Sequence, residues 1–162
     1  MKDLFFAECR RFRNLVIAGV LVHLMLLVLA SRITEPLMQR WQPQSIFPLL
    51  YAVAALALAV YQFGSHRQSS RWLWLMHRPL PRGRIFAALA LAALAVIVLV
   101  IGLPMLLAVA GTDRLSGDTV DLRHYLAVPY CVLVAANGWL AGAYLMLCGR
   151  RAACVVLAVP FL

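Results

Sequence analysis

The chain has 162 residues, of which 64% are apolar and 13% charged, with a formal net charge of +9. A soluble domain carries about a quarter charged residues, and a chain of this length could not bury this much apolar surface in one core. The apolar residues fall in long blocks and the basic ones in short connectors between them, a pattern of membrane topology rather than of a nucleic-acid-binding face.

Residues 1–13 read as an amphipathic helix lying in the membrane interface. Met1, Leu4, Phe5, Cys9 and Phe12 share one face at helical spacing, while Lys2, Asp3, Arg10 and Arg13 point elsewhere. Phe6 and Glu8 depart from this segregation. The first apolar block, about residues 15–31, is flanked by Asn14 and Ser31, with Arg13 and Arg32 outside them. Val28-Leu29-Ala30 is a poor match to a small-x-small cleavage site, so the block reads as a span and not as a signal peptide.

Further blocks follow at about 47–63, 85–110 and 125–148. A last block, 152–162, has 11 residues, too few to cross a bilayer, and reads as the start of a fifth span cut short, with a short re-entrant or interfacial end as the alternative. His23 lies in the middle of the first block and Asn137 within the fourth. At membrane depth each needs a hydrogen-bonding neighbour or lines a polar path, and the first is the simpler expectation. Gly138 and Gly142 have GxxxG spacing, and Pro104 and Pro129 interrupt apolar blocks. Tyr61 and Gln62 mark the end of the second block without a special role. Asp121 is positioned to cap the segment entering the fourth block.

Counting Lys and Arg sets the orientation. Lys2, Arg10, Arg11, Arg13, Arg67, Arg71, Arg78, Arg82, Arg84, Arg150 and Arg151 fall on one side, 11 in all, and Arg32, Arg40, Arg114 and Arg123 on the other, 4 in all. The richer side is cytoplasmic by the positive-inside rule, so the N-terminus is expected inside.

No phosphate-binding GxxxxGK[ST] loop, HExxH or GxSxG occurs. Cys9, Cys131, Cys148 and Cys154 make no CxxC pair, and the acids of Asp113, Asp118 and Asp121 lack calcium-loop spacing. No catalytic residue, metal site or cofactor is therefore assigned.

The connector from Gly64 to Arg84, GSHRQSSRWLWLMHRPLPRGR, is longer than a link between two spans requires. Ser69 or Ser70 can cap a short helix that carries Arg71, Trp72, Leu73, Trp74, Leu75 and Met76 and stops before Pro79. Tryptophan and arginine together are the usual anchors of protein interfaces, and tryptophan also belongs to the headgroup belt; composition does not separate the two readings.

Here the sequence resembles a known family. A basic amphipathic N-terminal helix, two spans, a cytoplasmic loop of the form Arg71-Trp72-Leu73-Trp74-Leu75-Met76-His77-Arg78-Pro79-Leu80-Pro81-Arg82 and then further spans are similar to the permease subunit of ATP-binding-cassette (ABC) exporters of the second permease type. The resemblance implies an all-α transmembrane bundle with an in-plane N-terminal helix (Leu4, Phe5, Cys9 and Phe12 toward the interface). It also implies that the loop is a coupling helix, with Arg71, Trp72, Trp74, Leu75, His77, Arg78, Pro79 and Arg82 meeting a soluble ATPase subunit. A second permease copy or homologue and a multi-pass location in a bacterial inner membrane follow from the same likeness. The family usually has six spans, and this chain shows four and part of a fifth. The alternative is a membrane assembly or scaffold protein whose tryptophan-rich loop holds another partner.

Overall fold

The structure, a computed structural model, describes residues 2–33, 46–66, 81–115 and 120–148. All regular elements among them are helices: α1 (Lys2–Ile33), α2 (Ile46–His66), α3 (Arg82–Ile97), a π-helical segment (Val98–Gly102), α4 (Leu103–Leu115) and α5 (Leu122–Leu147). α3, the π segment and α4 follow one another without a break, so among the described residues four helical stretches are long and apolar enough to cross a membrane: Lys2–Leu29, Phe47–His66, Arg82–Gly111 and Leu122–Leu147. The chain is a multi-pass membrane protein by this measure. Residues 152–162 and most of the Trp-rich connector, 67–80, lie outside the described residues.

α1 runs unbroken across the point where the sequence reading ended an interfacial helix and began a span. The reason is local: neither proline nor glycine occurs before Gly19, and Asn14 alone is too weak a helix breaker to end the ladder. α2 admits Pro48 in its first turn, where a missing N–H costs nothing. Near its other end Ser65 Oγ donates to the Gln62 carbonyl at 2.7 Å. α3 starts on extended Pro81, whose carbonyl accepts from the N–H groups of Arg84 (2.9 Å) and Ile85 (3.3 Å). α5 starts on Asp121, whose own N–H is held by His124 Nδ1 at 3.0 Å, the reciprocal half of a capping box.

The π segment has an identifiable cause. Pro104 has no N–H to offer the carbonyl four residues back, that of Val100, and its ring crowds that carbonyl. The helix widens just before it, with the Leu103 N–H reaching back five residues to the Val98 carbonyl. Val100 O is thereby free for another donor.

Packing is closest between α2 and α5. Gly138 lies against the backbone of Ala52, and a methyl group on Gly142 would come within 2.7 Å of both Ala59 Cβ and the Leu56 carbonyl. The GxxxG pair therefore faces a stripe of alanines, Ala52, Ala55 and Ala59, all buried. In a bilayer helix association rests on such van der Waals contact, because lipid tails are as apolar as leucine. Around this seam, Phe63, Phe86 and Trp139 pack with ring centroids 5.9–6.5 Å apart, the two phenylalanines stacked and the indole tilted against both. α1 packs on α3, the π segment and α4, and meets α2 through side chains more than through close backbone approach. Its outer face, from Leu21 to Leu29, is largely exposed, as suits a helix against hydrocarbon.

Cross-contacts fix the relative directions. Glu8, Gln62, Leu89 and Trp139 meet at one level, while His23, Tyr51 and Val100 meet at another. Successive spans therefore alternate in direction. Lys2, His66, Arg82 and Cys148 belong to one end of the bundle, and Ile33, Ile46, Leu115 and Leu122 to the other.

Candidate functional site

Two polar networks are buried among these helices. At the end that carries Lys2 and His66, Leu4, Glu8 and Phe12 form a buried stripe at four-residue spacing, with exposures of 2%, 4% and 0%. Glu8, which the sequence set among apolar neighbours, lies in the middle of this face. Its carboxylate accepts from Gln62 Nε2 at 3.2 Å and from His66 Nε2 at 3.1 Å, and Arg11 lies 3.7 Å away. An isolated buried carboxylate is expensive; this one has two donors on α2 and a guanidinium nearby.

Gln62 is the hub, with no exposed surface. Its amide orientation follows from its neighbours: Trp139 Nε1 can only donate, so it faces Oε1 at 3.0 Å, and the carboxylate can only accept, so it faces Nε2. The same Nε2 donates to the Leu89 carbonyl at 3.3 Å. One side chain thus connects α1, α2, α3 and α5. Nothing in the sequence reading gave Gln62 this place, or gave His66 a carboxylate partner. The available signal was an acid at the centre of an apolar helical face, which is costly unless something answers it.

The second network lies at mid-bundle. Val100 O accepts from His23 Nδ1 at 2.7 Å. Because Nδ1 carries the proton there, neutral His23 presents a lone pair at Nε2, and Tyr51 Oη donates to it at 2.8 Å. Pro104 thus creates the acceptor that His23 uses, 77 residues away in the chain. His23 and Tyr51 border a groove of about 640 Å³ between α1 and α2, otherwise mostly apolar and floored by Val96–Ile101.

The other residues singled out from sequence divide as follows. Leu4 packs beside Ala88 and Ile85 of α3. Phe12 meets Tyr61, with ring centroids 6.3 Å apart and the Arg11 guanidinium near both rings. These two side chains are therefore covered by protein, while Phe5 and Cys9 are half-buried and Phe6 is exposed. Asn137 is half-buried on α5, outside both networks. Arg82 is exposed at the first position of α3. Arg71, Trp72, Trp74, Leu75, His77, Arg78 and Pro79 lie outside the described residues. Among the described residues no group of three or more His, Cys, Asp or Glu side chains is placed to hold a metal ion.

No family model, curated protein or solved structure matches this chain.

Proposed function

We propose that the chain is the membrane-spanning subunit of an ABC-type exporter, coupling ATP hydrolysis on a separate soluble subunit to export. The observation that supports this most is where the N-terminal segment sits. Glu8 is bonded to the last turns of α2 and Leu4 packs on the first turns of α3. The connector with Arg71, Trp72, Trp74, Leu75, His77 and Arg78 joins those same two helix ends. A force applied to that connector by a docked ATPase would be passed to α2 and α3 together and, through Gln62, to α1 and α5. The chain then has no ATPase activity of its own, works with a second permease copy or homologue, and sits in a bacterial inner membrane with its N-terminus inside.

The test is co-purification in mild detergent from the source membrane. Wild-type chain should bring down an ATP-binding subunit. Trp72→Ala/Trp74→Ala should lose it, at a cost of at least about 2 kcal/mol if these are the anchors of the interface. Insertion should be unchanged, because the spans are untouched. If wild type carries no such subunit, or the double variant retains it equally, the loop is no dock and a scaffold role takes precedence.

A further inference from the structure

The groove between α1 and α2 is lined in part by the exposed side chains of Val22, Leu26 and Leu50. Its volume, about 640 Å³, falls within the range of about 300–1,000 Å³ usual for small-molecule sites. Among the described residues, no Asp, Glu, Lys or Arg lines it, and its polar side chains are His23, Tyr51 and Tyr61. Tyr61 is exposed, with its ring beside Arg11, whereas His23 and Tyr51 are more than nine-tenths buried.

The bonding of that buried pair dictates what can join it. Both ring nitrogens of His23 are engaged. Tyr51 donates its single O–H to His23 and keeps acceptor capacity on its oxygen, which no other described residue uses. A partner must therefore bring an O–H or N–H. A charged headgroup is disfavoured, because the described lining residues supply no counter-ion at a depth where an unpaired charge is costly. The apolar walls ask for a hydrocarbon body, and the exposed side chains among them face the lipid phase.

We propose that this groove binds an uncharged long-chain lipophile through a hydrogen bond donated to Tyr51 Oη. The described residues that line the site belong to α1, α2, α3 and the π segment, so it stands whether or not the connector engages an ATPase.

The test uses the full chain in phosphatidylcholine nanodiscs and hexadecanol with a mid-chain diazirine as probe. Photolabelling should saturate and map to 15–27 and 47–61. Unlabelled hexadecanol should compete, and hexadecyl methyl ether, which has no proton to donate, should compete weakly. Tyr51→Phe should weaken apparent binding roughly five-fold, the usual weight of one hydrogen bond. Ala54→Trp, which fills the groove from an exposed position, should abolish the saturable fraction, and it carries the test alone if Tyr51→Phe fails to fold. Three outcomes would overturn the proposal. Labelling could fail to saturate and fall equally on Leu126 and Leu133, as an annulus of lipid would give. The methyl ether could compete as well as the alcohol. Finally, a cysteine cross-linker at Ala54 could join two copies of the chain, showing that protein occupies the groove.

Discussion

Gln62 has its donors and acceptors divided among three elements besides its own, and removing its amide would leave both the Trp139 N–H and one Glu8 oxygen short of a partner. Interhelical hydrogen bonds in membranes average only about 0.6 kcal/mol, but a buried polar group abandoned by its partner costs about 1–3 kcal/mol. The second figure applies here, because Gln62→Leu keeps the volume and removes only the polar ends. Unfolding in mild detergent followed by circular dichroism should show that loss. Glu8→Leu/Gln62→Leu should cost less than the sum of its two single variants, since replacing both partners spares the unpaired charge. Strictly additive losses would mean that the two side chains act independently. His23 was readable as a residue that needs a partner on another helix, because a lone imidazole at membrane depth has few alternatives. Its partner was not readable: Val100 O is available only because Pro104 withholds an N–H, and sequence spacing does not say that α1 lies against that turn.

At the scale of helices, the glycines separate into those that are contacts and those that are not. Gly138 touches the Ala52 backbone so closely that a methyl group has no room, whereas Gly83, in the first turn of α3, has nothing near its missing side chain. Alanine is the better helix former by about 1 kcal/mol, so Gly83→Ala should leave stability unchanged or slightly raised. Gly138→Ala must part α2 from α5 along their closest seam and should cost about 1–3 kcal/mol despite the same propensity gain. Thermal unfolding of the two variants side by side checks the signs; a harmless Gly138→Ala would place the α2–α5 contact elsewhere. The GxxxG spacing was visible in the sequence, and its facing stripe, Ala52, Ala55 and Ala59, was visible only as small residues in another apolar block. Pairing the two needs the fold. The junction at 13–15 shows the opposite error of scale. Charge and amphipathicity change there, and the sequence reading placed an element boundary, but backbone helicity follows propensity and the helix continues.

For the molecule as a whole, the four blocks of apolar sequence were enough to locate four bilayer-length helices, because a span must satisfy its backbone internally and its length is set by the membrane. Alternation of those helices gathers Lys2, Arg10, Arg11, Arg13, Arg82 and Arg84 at one end of the bundle, the end at which Glu8 bonds His66. Six of the 11 basic residues on the richer side of the count therefore share one end of a folded bundle. By the positive-inside rule, we propose that this end faces the cytoplasm. A cysteine at Ser116, in the connector between α4 and α5, should react with an impermeant maleimide added to intact cells, and a cysteine at Ser69 should react only after permeabilisation. Because one span, α3 through α4, separates the two positions, the two labels must report opposite sides in any orientation. The reverse pattern would put the tryptophan-rich connector outside, beyond the reach of any cytoplasmic ATPase. It would leave the groove at Tyr51 intact, so the transport reading would fall without taking the lipophile site with it.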